Sequence, residues 1–146
     1  ALPLVSTQVE YSLIRRTAER EVMPAVENLG MGVLAWSPLG RGVLTGKYRG
    51  GIPSDSRAAD PHWEAFVGAY LTPSKAGVVE ALARAAEGLG VTEAHVALAW
   101  LLGRPGVSSA IVGARTTAQL QESLASEELE LPPEIIQALD DVSDDA

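Results

Sequence analysis

The stretch Trp36-Ser-Pro-Leu-Gly-Arg-Gly-Val-Leu-Thr-Gly-Lys-Tyr48 decides how the rest of the chain is interpreted. The apolar run 32–36 before it predicts a buried strand, which Pro38 ends because proline has a fixed φ and no N–H to donate. Its three glycines allow a sharp turn that approaches a ligand closely, and Arg41 and Lys47 add positive charge. The combination favours a phosphate-binding turn; an ordinary strand-to-helix turn with solvated cations is the alternative.

Length and composition predict one soluble globular domain over residues 1–146. The chain has 146 residues, of which 47% are hydrophobic and 21% charged, enough to form its own core. No apolar run reaches the roughly 18–20 residues of a membrane span, so no membrane partner is expected. The chain has no cysteine, which excludes disulfides and thiolate metal sites, and no metal site is predicted. With no secretory leader visible, a cytoplasmic location is expected.

Charge is unevenly distributed along the chain. The net charge of −8 argues against nucleic-acid binding. The segment from Arg41 to Arg57, however, contains four basic residues and only one acidic residue, Asp55. This local excess of positive charge suits the binding of an anionic small molecule. Residues 118–146 hold nine acids and no base, which is typical of a solvated surface.

The first segment predicts a strand around Leu4–Tyr11 and then a helix. On such a strand Gln8 and Glu10 share one face, so they need partners or face a site. In barrels and doubly wound sheets, sites lie at the carboxyl ends of parallel strands. Thr17 is expected to cap the following helix and Gly30 to end it, and Pro24 is expected to kink it unless it lies in the first turn.

The segment from Tyr48 to Thr72 is rich in glycine, proline and serine and predicts a functional loop or lid. A short helix carrying the aromatic residues between His62 and Tyr70 is expected inside it. His62 is interpreted as a surface or packing residue rather than a ligand.

Two helices follow the loop. The first is predicted over Ser74–Leu89, with Ser74 as its N-cap and Gly90 at its end. Thr92 caps the next, whose almost wholly apolar residues 96–102 predict burial. His95 lies on this helix and is interpreted as a packing residue.

A third buried strand is predicted over Val107–Val112, and the turn 113–117 leads from it into a helix capped by Thr116 or Thr117. The layout of strand, glycine, basic residue and helix N-terminus occurs here a second time, which makes a second anion site plausible. A last helix is expected to begin at Pro132 or Pro133 and to run through Val142.

The alternation of strands and helices predicts an α/β fold with three parallel strands joined by crossover helices. Three such strands leave two unpaired edges, which a larger closed or doubly wound sheet would cover. The chain is therefore interpreted as part of such a sheet. If it folds alone, self-association through the open edges is expected.

Three motifs carry a resemblance to a known family: Gln8–Leu13; Trp36–Tyr48 followed by Gly51–Arg57; and Ile111–Ser123. Their order and spacing resemble the C-terminal half of an NADP-dependent aldo/keto reductase, a TIM (β/α)8 barrel. The resemblance covers nearly the whole chain. It is strongest to the branch that includes potassium-channel β subunits and related bacterial reductases.

The resemblance implies a cofactor role for each matching position. Gln8 would bind the nicotinamide carboxamide and Trp36 would stack on the nicotinamide ring. The pyrophosphate would be wrapped by Ser37, Pro38, Leu39, Gly40 and Arg41, and clamped by Lys47 and Arg57. The adenosine end would be held by Gly113, Arg115, Gln119, Glu122 and Ser123. Arg115 is the candidate for the 2′-phosphate, and Ser123 replaces the family's usual asparagine.

The resemblance also implies what this chain does not carry. The family's catalytic Asp, Tyr, Lys and His lie on its first four strands, whereas this chain is expected to begin at the sixth, so no catalytic residue is assigned here. The parent protein is expected to reduce aldehydes or ketones to alcohols with NADPH. For this chain three alternatives stay open: a fragment of an active reductase, a non-enzymatic NADP(H)-binding or interaction module, and an inactive remnant.

Overall fold

The computed structural model describes residues 3–144. Strands and helices alternate along the chain as the sequence predicts. The strands are β1 (Ser6–Glu10), β2 (Gly32–Trp36) and β3 (Val107–Ile111). The helices are α1 (Ala18–Leu29), α2 (Glu64–Gly68), α3 (Pro73–Leu89), α4 (Glu93–Leu102), α5 (Thr117–Ala125) and α6 (Pro133–Ser143). Short turns of 3₁₀ helix lie at Gly40–Thr45, Arg57–Ala59 and Ser126–Glu128.

The three strands form one parallel sheet in the order β1-β2-β3. Glu10 pairs with Trp36 in register, and Trp36 pairs with Ile111, so the carboxyl ends of all three strands meet at one edge. The barrel that the resemblance implies is not closed by the described residues. The predicted three-stranded α/β arrangement is thus confirmed for this part of the chain.

The two faces of the sheet differ sharply in exposure. Val33 and Ala35 are fully buried on the face against which α1 and α4 pack. On the other face, Trp36 is 36% exposed and Ile111 42% exposed. The prediction of a buried third strand is therefore wrong: Val107 and Ala110 are only half-buried and the other residues of β3 are exposed. No element of residues 3–144 covers the face that holds Ile111.

Helix α4 is almost wholly buried, as its apolar sequence predicts. Every residue from Ala94 to Leu101 except His95 is buried, and the ring of Trp100 packs edge-on against Tyr11 with 5.9 Å between centroids. Helix α3 packs against both α4 and α6. The packed helices thus lie on one face of the sheet. The opposite face, which carries Trp36 and Ile111, is open to a ligand or to other protein.

The ends of the helices confirm most of the predicted caps. Gly30 and Gly90 adopt left-handed φ values of 63° and 69° and end α1 and α3. The hydroxyls of Thr92 and Thr116 accept the N-terminal N–H groups of α4 and α5.

Two local predictions need correction. The N-cap of α3 is Thr72, not Ser74, because Pro73 is suited to the first helical position and starts the helix earlier. Thr17 precedes α1, but its backbone is already helical and its side chain makes no capping bond. Pro24 lies inside α1, beyond its first turn, so the kink expected there stays a prediction.

Candidate functional site

The candidate site follows the carboxyl ends of the three strands. Glu10, Trp36 and Ile111 are the last residues of β1, β2 and β3 and are neighbours in register. Each is followed by a turn that contains residues singled out from the sequence. Parallel sheets commonly bind ligands at this edge, because the loops that leave the strands converge there.

The turn after Trp36 contains four residues with left-handed backbone. Ser37, Gly40, Arg41 and Gly42 have φ values of 52°, 53°, 59° and 91°. For Ser37 and Arg41 this conformation costs about 1–2 kcal/mol each, so surrounding structure must hold it. The N–H groups of Gly40 and Gly42 donate to the carbonyls of Ser37 and Leu39 at 2.8 and 3.0 Å, so hydrogen bonds within the turn help to hold this shape. We call residues 37–42 the phosphate turn.

Glycine at position 42 leaves room for a cation. A Cβ atom there would lie 3.1 Å from the ammonium nitrogen of Lys47. The same ammonium lies 5.0 Å from the ring centroid of Tyr48 and makes no ion pair with any residue of 3–144. Lys47 is thus an exposed cation beside the phosphate turn, as the sequence predicts.

A second cation comes from the loop between the turn and α3. Arg57 is exposed, with its guanidinium 5.8 Å from the ring centroid of Trp63. It forms no ion pair within the described part of the chain. The predicted short helix is α2, and edge-on aromatic contacts join His62 to Trp63 and Trp63 to Phe66.

Arg41 is engaged differently from Lys47 and Arg57. Its Nη2 donates to Glu10 Oε1 at 2.9 Å and to Oε2 at 3.2 Å, and its Nε donates to Oε1 at 3.1 Å. The two side chains are only 14% and 13% exposed. The charge of Arg41 is therefore neutralised within the protein, while its backbone remains part of the phosphate turn. The sequence predicts that Glu10, a polar residue on one face of β1, needs a partner or faces a site. It does not identify Arg41 as that partner, because the two residues are 31 positions apart.

Tyr70 and Lys75 lie beside this pair. Burial and the neighbouring Glu10 carboxylate raise the pKa of Tyr70 to about 12. Burial, together with the charges of Arg15 and Arg41, lowers the pKa of Lys75, whose ammonium lies 4.3 Å from the Tyr70 ring centroid. Sequence reasoning did not assign these two residues, because their environment is created by contacts with distant segments.

On β1, Gln8 is exposed and lies on the same face of the sheet as Trp36. It pairs with Leu34, two residues before Trp36, and its side chain makes no hydrogen bond to residues 3–144. An exposed amide beside an exposed indole offers donors, an acceptor and an aromatic face to one ligand.

The turn after β3 carries the second predicted set. The Arg115 side chain is exposed and unpaired within residues 3–144, and Gly113 is also exposed. The Gln119 side chain accepts a hydrogen bond from the backbone N–H of Arg115 at 2.9 Å and thereby completes the start of α5. The Ser123 hydroxyl donates to the carbonyl of Gln119 at 2.9 Å. The carboxylate of Glu122 accepts a hydrogen bond from the hydroxyl of Thr92, the N-cap residue of α4.

No helix among residues 3–144 is both long enough and apolar enough to cross a membrane. Within residues 3–144, no three histidine, aspartate or glutamate side chains are grouped closely enough to hold a metal ion.

Comparison with known proteins identifies relatives across almost the entire chain. Residues 1–144 match the family model described as the aldo/keto reductase family. An uncharacterised oxidoreductase of Bacillus subtilis, YrpG, is 39% identical over 142 residues, which cover 95% of this chain and 40% of that protein.

Two further relatives are described as channel subunits. A probable voltage-gated potassium channel subunit beta of Arabidopsis thaliana is 43% identical over 124 residues, covering 84% of this chain and 38% of that protein. A putative voltage-gated potassium channel subunit beta of Schizosaccharomyces pombe is 35% identical over 144 residues, covering 94% and 42%. The chain thus spans 38–42% of the length of these three relatives.

Proposed function

Because this chain belongs to the aldo/keto reductase family, we propose that it binds NADP(H) at the carboxyl edge of its sheet. We further propose that the whole protein uses NADPH to reduce aldehydes or ketones to alcohols. Family membership supports oxidoreductase chemistry, and an oxidoreductase is among the relatives. The proposal names the substrate only by its class, an aldehyde or a ketone.

One observation carries the proposal: an exposed tryptophan leads directly into a turn suited to an anion. Trp36 ends β2, and the phosphate turn follows with its left-handed backbone and the Lys47 ammonium beside Gly42. A dinucleotide needs an aromatic contact for its nicotinamide and a phosphate contact within a few ångströms of it. The chain offers both on consecutive residues.

The charges of the residues present suit a phosphorylated dinucleotide. Lys47, Arg57 and Arg115 are exposed cations without ion pairs among residues 3–144, although the chain as a whole is acidic. Arg115 is suited to a 2′-phosphate because a guanidinium can donate two parallel hydrogen bonds to it. The full proposed set is Gln8, Trp36, Ser37, Pro38, Leu39, Gly40, Arg41, Lys47, Arg57, Gly113, Arg115, Gln119, Glu122 and Ser123.

The division of chemistry follows from this set. Bound NADPH supplies the hydride, and reduction of a carbonyl also requires a proton for the oxygen. None of the proposed residues is assigned as that proton donor. The chain's own contribution is to bind the cofactor, orient its nicotinamide through Gln8 and Trp36, and balance phosphate charge.

Isothermal titration calorimetry of the purified chain with NADPH, and with NADH as the comparison, tests the proposal. We expect NADPH to bind more tightly, and Arg115→Ala to weaken NADPH binding about tenfold while hardly changing NADH binding. Arg84→Ala is the matched control, because Arg84 is an exposed arginine on α3 without a described ion pair. Trp36→Phe should bind better than Trp36→Ala, since it keeps an aromatic face. Absence of NADPH binding at millimolar cofactor would overturn the proposal for this chain.

A second candidate function is a non-enzymatic NADP(H)-binding or interaction module. The open face of the sheet, with Trp36 and Ile111 exposed, favours association with other protein. Two of the relatives are described as channel subunits rather than enzymes. Carbonyl reduction by the full-length protein would decide for the enzyme. Cofactor binding without turnover of any aldehyde or ketone would decide for the module.

A further inference from the structure

Arg41 connects three segments that are distant in sequence. Its guanidinium pairs with Glu10 on β1, as described above, and its Nη1 donates to the carbonyl of Phe66 on α2 at 2.6 Å. The same group lies 3.8 Å from the ring centroid of Phe66 and 4.4 Å from that of Tyr70. All three guanidinium nitrogens therefore donate hydrogen bonds within the protein, and the guanidinium lies against the rings of Phe66 and Tyr70.

We propose that the Glu10–Arg41 pair is a latch that holds residues 57–71, which we call the aromatic loop, against the phosphate turn. Arg41 then serves cofactor binding as a positioning residue: it fixes the turn's backbone and the loop that carries Arg57, and its guanidinium does not contact the phosphates. This role in binding rests on the proposed function. The latch itself is a property of the chain without any ligand.

The environment of Glu10 argues against a guanidinium that moves to a phosphate. If Arg41 left, a carboxylate that is only 13% exposed would lose its partner. Leaving one member of a largely buried pair unpaired is strongly unfavourable, because the charge keeps its desolvation penalty and loses its attraction. Lys47 and Arg57 form no ion pair within residues 3–144, so they are the cations available to phosphate.

The backbone of Arg41 supports the same conclusion. Its φ of 59° is uncommon for a residue with a side chain, and glycine precedes and follows it. A third glycine would adopt this conformation without strain. The hydrogen bonds and ring contacts of the side chain compensate for the strain and hold the turn in one shape.

Hydrogen–deuterium exchange of the cofactor-free chain tests the latch. In Arg41→Ala and Glu10→Gln we expect the amides of residues 63–71 to exchange about tenfold faster than in the wild type, since the hydrogen bond and ring contacts that join this segment to Arg41 are lost or weakened. The matched controls are Arg84→Ala and Glu21→Gln, two exposed residues without described ion pairs, which should leave this segment unchanged. Unchanged exchange in both latch variants would overturn the proposal.

A milder variant guards against loss of folding. Phe66→Leu removes the ring beneath Arg41 but keeps the backbone carbonyl, and its partly exposed position makes the fold tolerant of the change. It should accelerate exchange in residues 63–71 without changing exchange in α4. Equal acceleration throughout the chain would mean general destabilisation and would count against a latch.

NADPH affinity separates positioning from direct contact. If Arg41 contacts phosphate, Glu10→Gln releases the guanidinium and should maintain or strengthen NADPH binding. The latch predicts that Glu10→Gln and Arg41→Ala each weaken binding about fivefold, and that the double variant is little worse than either single one. If the wild-type chain binds no NADPH, the proposed function fails, and the exchange measurement still decides whether the latch exists.

Discussion

The hydroxyl of Thr92 donates a hydrogen bond to the carboxylate of Glu122, so the residue that caps α4 also holds a candidate cofactor ligand on α5. The same oxygen accepts the N–H of His95 at 3.3 Å. One side chain therefore links the buried core helix α4 to α5, the helix proposed to hold the adenosine end of the cofactor. Stability and the orientation of Glu122 should change together when Thr92 is altered.

Thr92→Ala should lower the free energy of unfolding by about 1 kcal/mol, because the first turn of α4 loses its capping acceptor. Thr92→Ser keeps a hydroxyl and should stay within about 0.5 kcal/mol of the wild type. Urea denaturation followed by circular dichroism measures both. A serine variant as unstable as the alanine variant would assign the effect to packing of the threonine methyl group.

Asp140 connects α6 to two other parts of the fold. It accepts hydrogen bonds from Trp100 Nε1 at 3.1 Å and from Arg104 at 2.9 Å, and it pairs with Arg16 at 3.2 Å. Asp140→Ala leaves two guanidinium groups and an indole without this acceptor, and should cost about 2–3 kcal/mol of stability. Asp141→Ala is the control: within residues 3–144 its carboxylate accepts only from the exposed Gln137, so the thermal midpoint should barely change.

Glu19 should make stability depend on pH in the acid range. Burial alone would raise the pKa of its carboxyl, but hydrogen bonds from Arg16 and Tyr11 and the charges of Arg16 and Arg104 lower it below its usual value. A lowered folded-state pKa gives stability that is complete above the unfolded pKa of about 4.3 and is lost as the pH falls through the folded value. At pH 7 the wild type should therefore be more stable than Glu19→Gln.

The difference between wild type and Glu19→Gln should narrow as the pH is lowered from about 5 toward 2, where the wild-type carboxyl becomes protonated. Unfolding by urea at a series of pH values measures the two curves. Glu21→Gln, at an exposed position on the same helix, provides the comparison. Parallel curves for wild type and Glu19→Gln would contradict the expected pKa.

Gly40→Ala should destabilise the fold by about 2 kcal/mol, for two reasons. The residue has a left-handed φ of 53°, and a Cβ atom there would overlap Ile14 Cδ1. Gly50→Ala should change stability by less than about 0.5 kcal/mol, because Gly50 has no left-handed φ and no atom within 4 Å of an added Cβ. Similar losses in both variants would mean that the shape of the phosphate turn is not the cause.

We propose that the isolated chain associates with itself through the open edges of its sheet. Strand β3 forms one of these edges among the described residues and exposes Ile111 on its uncovered face. Sedimentation velocity over a range of concentrations should then show a rising average mass. Ile111→Lys, which places a charge on that face, should weaken association about tenfold. Leu124→Lys alters a leucine on α5 that is even more exposed and should leave association unchanged. A concentration-independent monomer would contradict the proposal.

Residues with strong local preferences made several features predictable. Gly30 and Gly90 end helices because only glycine adopts left-handed φ without steric cost, and Thr92 and Thr116 cap helices through bonds to residues three positions away. The phosphate turn was located in the same way, since its glycines follow a strand directly. Thr72 rather than Ser74 caps α3 because two hydroxyls compete within one turn, and Pro73 decides between them.

The sequence by itself determined the order of strands and helices, most of their caps and the position of the candidate cofactor turns, because these depend on energies within a few neighbouring residues. Only the tertiary structure decided which charges are available. Arg41 and Lys47 look alike in the sequence, yet Arg41 meets a carboxylate 31 positions away and Lys47 meets none among the described residues. The exposure of Trp36 and Ile111 likewise depends on the tertiary structure. The alternation of residues along a strand predicts which side chains share a face, but only the packing of the helices determines which face is covered.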